Sequence, residues 1–383
     1  MAISADESPP KGLLNIDLSS AVQLSPRNFM PLTRTPWAGN ALAKGIKRRQ
    51  AESPNQRIGE SWELSCDPEA HSRLEHITDV TLADLIACRT SECLSGSMVA
   101  SGRTACDILV KLINPSRPLS LQIHPSDDNK FLKPSECGKP ESWLVLDAEP
   151  GAGLYIGFSQ PIEPEDLRGR LEAGSFSSDL LQFVPVKPGD YFEIRPHVPH
   201  AIGAGVVLLE PQRVIAGKSG KTWRIWDWNR KYNLQGQEDR ENGKPRELHI
   251  TESMSLLEPK SQTGLSYVDK LRRESTETKP AAGVTVKIYP ANDWYQVMLI
   301  EMDSRSKIKL SPKIAFAGVF ILAGEISSTS QFGRPVKMGE GETYFIPSTA
   351  LPNTFANGNE KTNLALVIPA GKGVPSHGGN IFQ

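Results

Sequence analysis

The segment Leu119–Pro125 reads LSLQIHP, with its glutamine and histidine two positions apart. Side chains alternate faces along a strand, so Gln122 and His124 point the same way. If that face lines a barrel, two ligand-capable groups enter one closed cavity. Glu141 follows seventeen residues after His124, just ahead of the apolar run SWLVL, and His200 heads another strand after PHVP. One glutamine, two histidines and one carboxylate can surround a divalent ion and leave room for a substrate, as a catalytic zinc requires. A buried histidine is also readable as a satisfied core residue, and His197 rivals His200. Spacing leaves both questions open.

The elements that would position these groups are short. Apolar runs set among 31 glycines and 30 prolines read as many strands joined by turns. Examples are LVKLI (109–113), LSLQIHP, YFEIRP (191–196) and VVLLEP (206–211). Helix signals are fewer. Pro164, Glu165, Asp166 and Leu167 open one helix, with acidic residues in its first turn. Ser178–Phe183 is expected to form a second, and ITESMSLLEP after His249 a third. Residues 258–283 are polar and broken and read as the main linker; VTVKIYP, YQVMLIEM, FAGVFILAGEI and ETYFIPS follow as further strands. Val186–Gly203 and Val336–Phe355 share a Gly-acid turn, an aromatic strand and a Pro-containing loop, a faint internal repeat. Glycine fits such turns because it accepts positive φ.

At 383 residues the chain is long enough for two or three domains. Its net charge of −1 gives no drive toward nucleic acid or an anionic membrane surface. The basic run KGIKRRQ reads as a solvated loop. Five cysteines without a CxxC pair argue against both a disulfide framework and a thiolate zinc knot. The N-terminal MAISADESPPKG lacks the apolar core of a signal peptide, and no segment reaches membrane-span length. A reducing cytoplasm is the expected location.

LSLQIHP, GKPESWLVLDAEPGAGLYIGF and HVPHAIGAGVVLLE together resemble the motifs of type I mannose-6-phosphate isomerases of the short form, in the cupin superfamily. IGESWELS (58–65) and PWAGNALA are similar to that family's opening segments, and WDWNR (226–230) and GKPRELHI (243–250) to its closing ones. The likeness runs in order from about Pro36 to Ile250; beyond that the chain resembles only a degenerate cupin. The resemblance implies a mainly β chain of two cupin-type (jelly-roll) β-barrels with a small helical insertion near 163–183. It implies an N-terminal extension (1–25), a catalytic cupin domain (26–257), a linker (258–283) and a metal-free C-terminal cupin (284–383). No histidine stands at 347–353, where His200 would repeat.

Carried over by motif, the family's ligands to one Zn2+ per chain fall on Gln122, His124, Glu141 and His200. Its phosphate- and sugar-contacting groups fall on Lys111, Ser120 and Lys139, and an active-site glutamate and arginine on Glu210 and Arg224. The implied activity is interconversion of mannose 6-phosphate and fructose 6-phosphate through a cis-enediol, by a monomer or homodimer. Glu210, ending the run VVLL, would be the proton-shuttling base, since burial raises a carboxyl pKa toward the working range. The bland readings are a surface glutamate for Glu210, a structural ion pair for Arg224, and pairing of Lys111 with Asp107 or Asp147. No Walker-type phosphate loop occurs, which argues against nucleotide chemistry.

Two departures stand out. The stretch from Glu210 to Arg224 is a few residues longer than in the family, and Gly220 stands where the family commonly has an aspartate linked with opening the sugar ring. Arg213, Lys218 and Lys221 therefore become further candidates for substrate contact. A non-catalytic sugar-binding cupin and an iron-dependent cupin oxygenase are the competing readings. Gln122 and the nearby lysines speak against the oxygenase.

Overall fold

The computed structural model describes residues 12–374 and 381–383; most of the MAISADESPPKG segment lies outside them. Two jelly-roll barrels of the cupin type dominate the architecture. In the first, one five-stranded antiparallel sheet runs in the order Trp223–Trp226, Leu121–Ile123, His200–Ile202, Gly153–Phe158 and Leu181–Pro185. The facing sheet runs Glu60–Leu64, Ile108–Ile113, Val206–Arg213, Glu141–Ala148 and Tyr191–Ile194. Period-two alternation decides which residues look inward. Along Val206–Arg213, Leu208 joins the apolar core of the first barrel while Leu209 packs toward the second. Glu210 and Gln212 share parity with Leu208 and so face the first barrel's interior.

The second barrel has a seven-stranded sheet, running from Val22–Leu24 through Thr343–Ile346, Ala317–Ala323, Thr362–Pro369, Tyr295–Met302 and Val284–Ile288 to Thr276–Ala281. It faces a four-stranded one (Lys307–Leu310, Asn353–Asn357, Glu325–Ser330, Val336–Gly339). Its interior is apolar, including Val319, Tyr344, Phe355 and Leu366. A separate core, with Leu64, Leu144 and Leu209 on one side and Val297, Phe316 and Phe345 on the other, joins the two barrels. The strand Val22–Leu24, near the start of the chain, lies antiparallel to Thr343–Ile346 near its end.

A buried ion pair also spans the barrels. Lys47 Nζ lies 2.7 Å from Glu63 and donates to the Gly341 carbonyl at 2.6 Å. Glu63 also accepts from Thr343 Oγ1. Lys47 thus sits in the segment read as a solvated loop, yet is fully buried. Its charge is tolerated inside because a carboxylate and backbone carbonyls surround it.

The repeat is visible in the backbone. Gly189 and Gly341 both take positive φ (91° and 80°), each leading into an aromatic strand, Tyr191–Ile194 and Thr343–Ile346. The helix Pro164–Glu172 has Pro at its first turn with Glu165 and Asp166 beside it, as expected. A helix also forms over Ile250–Met254. Ser178–Phe183 differs: only Ser178–Leu180 makes a single 3-10 turn, and Leu181–Pro185 is a strand paired with Gly153–Phe158. Cross-strand packing of that apolar run overrides its helical start. Residues 258–283 contain the helix Gly264–Asp269, whose Val268 enters the first barrel's core, and the strand Thr276–Ala281 of the second. Three short helices, Leu82–Cys88, Thr90–Cys93 and Gly96–Ala100, went unread; the first carries a Thr81–Asp84 capping box.

Candidate metal centre and active site

Three strands carry the expected ligands: Leu121–Ile123, with His124 just beyond it, His200–Ile202 beside it, and Glu141–Ala148 in the facing sheet. Gln122 and His200 are register partners, as are Gln122 and Arg224, so these side chains project into the barrel from adjacent strands. Ser120 and His124 share the same parity, whereas Leu121 and Ile123 pack outward into a separate apolar cluster. On the opposite sheet Glu141 is the partner of Gln212, and Glu210 that of Lys111.

His124, Glu141 and His200 are all buried, and their ligand atoms lie within 4.8 Å of one another. Glu141 places Oε2 at 3.3 Å from His124 Nε2 and Oε1 at 3.5 Å from His200 Nε2. Both histidines have Nδ1 beside a backbone carbonyl, Lys221 O at 3.1 Å and Val198 O at 2.8 Å. That fixes the proton on Nδ1 and turns the Nε2 lone pairs inward, as metal-binding histidines require. Burial lowers the pKa of both rings, that of His200 to about 3, so they are neutral. His124 Nε2 finds no hydrogen-bond partner. Lone pairs of neutral imidazoles facing carboxylate oxygens repel unless a cation lies between them, so this set fits one divalent metal ion. Among the described residues it is the one cluster of three or more His, Cys, Asp or Glu groups able to hold such an ion.

Around the cluster, Gln122 donates to Ser120 Oγ at 3.1 Å, and Arg224 Nε reaches the same oxygen at 3.3 Å. Arg224 is held further by the Glu247 carbonyl at 2.8 Å, and its pKa falls to about 10 through burial and the nearby Arg246. It stays charged at neutral pH. The WDWNR and GKPRELHI motifs form a clasp behind it, in which the buried Asp227 carboxylate accepts from Arg230 and Arg246. Lys139 Nζ lies 3.1 Å from Glu141 Oε2. Burial pushes the Glu141 carboxyl up, but the Lys139 ammonium, His124 and His200 together outweigh it and hold the group well below the ordinary range.

Glu210 is buried rather than at the surface. Trp143 Nε1 donates to Oε1 at 3.0 Å, Gln212 Nε2 to Oε2 at 2.5 Å, and Lys111 Nζ lies 3.3 Å away. Burial, reinforced by the neighbouring Glu141, raises its pKa to about 7. Lys111 pairs with Glu210 and Glu60, not with Asp107 or Asp147, because strand parity turns it inward. Asp107 is taken by Arg103.

His197 is not in the cluster: its ring lies 3.3 Å from Ser126 Oγ and its backbone has φ 71°. Arg213 faces away and pairs with Asp127. Lys221 pairs with Glu136 and, with Gly220, lines a cavity of about 210 Å³ that also meets Arg34, Trp62, Lys111, Lys139 and Gln212. A Cβ at Gly220 would stand 3.1 Å from Lys139 Cγ, so an aspartate there would press on that lysine. Trp62, Trp143 and Gln212 escaped the sequence reading. The alternation that turned Glu210 inward also marks Gln212.

No protein-family model matches the chain. A probable mannose-6-phosphate isomerase of Bacillus subtilis is 27% identical over 329 residues, covering 83% of this chain and 93% of that relative. The chain is a homologue of the mannose-6-phosphate isomerases. A mannose-6-phosphate isomerase of Streptococcus mutans is 31% identical over 223 residues, 58% of this chain and 64% of the relative. The crystal structure of the Bacillus subtilis mannose 6-phosphate isomerase superposes with a TM-score of 0.70 at 20% identity, covering 91% of this chain and 99% of that one. A zinc-bound mannose 6-phosphate isomerase gives 0.66 at 18% identity, with 91% and 99% covered. These likenesses establish the two-barrel fold of the homologues across nearly the whole described chain.

Proposed function

We propose that the chain is a zinc-dependent aldose-ketose isomerase that interconverts mannose 6-phosphate and fructose 6-phosphate. The observation that carries this reading is the convergence, inside one barrel, of the His124–Glu141–His200 cluster and the buried Glu210 carboxylate. The homologues' shared name narrows the substrate.

Gln122 would complete the ligand set with His124, Glu141 and His200. A zinc ion held there supplies Lewis acidity to the sugar oxygens at C1 and C2. Glu210 takes the proton from C2 of the aldose; the C–H electron pair becomes the C1–C2 double bond and the carbonyl electrons move onto O1. Glu210 then returns its proton to C1 on the same face, while the O2 hydroxyl proton passes to O1. A carboxyl with pKa near 7 suits both halves of this shuttle. Trp143 and Gln212 hold its two oxygens in place. Arg224, cationic at neutral pH, offsets charge on the enediolate, and Lys139 does so from the side of Glu141. Lys111, Ser120, Lys139 and Arg224 contact the sugar and its phosphate.

Residues 26–257 form the catalytic part in this reading, 258–283 the connection, and 284–383 a structural barrel. The apolar lining of that barrel supports its structural role, as does Asn353, bonded to Ser328, where the second half repeats the His200 strand. Five free thiols fit a reducing cytoplasm, and none of the described helices is long and apolar enough to cross a membrane.

A coupled assay of fructose 6-phosphate formation tests the proposal on zinc-loaded protein. Chelation should abolish turnover and zinc should restore it. Loaded protein that binds mannose 6-phosphate without converting it would leave only the sugar-binding cupin.

A further inference from the structure

Gln212 is buried and sits two residues beyond Glu210 on the same inward face. Its amide nitrogen donates to Glu141 Oε2 at 2.9 Å and to Glu210 Oε2 at 2.5 Å. A carboxamide has two N–H donors and one carbonyl acceptor. Here both donors are committed to carboxylates that would otherwise repel each other. The orientation of the amide is therefore chemically fixed, because reversing it would set its carbonyl oxygen against two carboxylate oxygens. Oε1 must point away from both acids. Gln212 lines the cavity that it shares with Trp62, Lys111, Lys139 and Thr222, and no hydrogen bond from the described residues reaches this oxygen.

We infer that Gln212 is a substrate-binding residue whose Oε1 accepts a hydrogen bond from the sugar hydroxyl beside the reacting carbons, that on C3. The inference rests on the isomerase reading for the pose: Glu210 works at C1 and C2, and Gln212 follows it by about 7 Å of strand. The next carbon of the sugar then falls within reach. Four cationic donors line this cavity, Arg34, Lys111, Lys139 and Lys221, beside the carboxylates of Asp67, Glu69 and Glu136, and the neutral Gln212 acceptor among them pairs with a hydroxyl. Phosphate oxygens, which only accept, are disfavoured at that point.

The test is calorimetric binding of mannose 6-phosphate and its 3-deoxy analogue to zinc-loaded protein. Wild type should bind the analogue roughly three- to tenfold more weakly, the worth of one neutral hydrogen bond. Gln212→Met removes donors and acceptor. Gln212→Lys keeps donors toward Glu141 and Glu210 but has no acceptor. In both variants the ratio between the two ligands should fall to about one, whatever happens to overall affinity. Equal binding of the two sugars by wild type overturns the inference, as does a ratio that survives in both variants. Metal content measured alongside identifies a variant that has lost its ion, and Gln212→Lys then decides. Failure of the isomerase reading appears separately, as absent turnover by wild type.

Discussion

Lys111 and Glu210 are register partners on adjacent strands, and the lysine Nζ lies 3.3 Å from Oε2 of the glutamate. The same ammonium stands 4.5 Å from the centre of the Trp62 ring. It is the nearest cation to a carboxyl that also feels Glu141 and Glu60. Replacing it with methionine leaves Glu210 among acids. Lys111→Met should therefore raise the apparent pKa of the rising limb of kcat/KM and lower its plateau by about tenfold or more. A pH profile of the coupled assay reads both.

Glu210→Gln keeps the Trp143 contact but cannot accept a proton from carbon. Bound zinc and affinity for mannose 6-phosphate should stay within a few-fold of wild type, while kcat falls by roughly 10²–10⁴. Turnover near wild type would remove Glu210 from the proton shuttle.

His124→Ala removes one inward lone pair from a three-group cluster. Zinc per chain, measured by elemental analysis after dialysis, should drop far below one, with activity lost in parallel. Arg224→Lys should retain zinc yet lose activity, because an ammonium cannot reproduce the planar fork held by Ser120 and Glu247.

In the metal-free protein Glu210 also predicts a pH effect on stability. Its carboxyl is raised from 4.5 to about 7 by burial, so the folded state holds the proton more tightly than the unfolded chain. That contribution is fully present below pH 4.5 and is lost as pH rises through 7, an upper limit on the order of 3 kcal/mol. Chemical denaturation of metal-free wild type and Glu210→Gln at pH 5 and pH 8 should show wild type losing more than the variant. Equal losses would contradict the raised pKa.

Lys47→Met should lower stability by about 3–5 kcal/mol in urea, because Glu63 then remains buried without its cation. Pairing it with Glu63→Gln should recover part of the loss.

Part of the site was legible because ligands in a barrel obey parity: LSLQIHP puts two groups on one face, while Glu210 was marked by the family resemblance and by its place at the end of VVLL. Gln212 obeys the same rule but carries no charge to draw notice. Trp62 and Trp143 are large apolar side chains whose indole N–H groups acquire a role only once Glu60 and Glu210 are located. The strands were readable from turn spacing and the two barrels from the family resemblance, whereas Ser178–Phe183 was decided by the strand it meets. Lys47 looked solvated because its partner Glu63 and the Gly341 turn lie far along the chain.

Residues near the two ends of the sequence share an edge of one sheet, Val22–Leu24 against Thr343–Ile346. A ribosome releases the first of these strands more than 300 residues before its partner exists. Until then an apolar edge must wait uncovered, and a chain truncated anywhere between would carry a sticky ribbon with no mate. The two barrels are thus sewn together by a strand that precedes the first of them in the chain, and separating them by scissors in the middle should yield aggregates in place of two tidy halves.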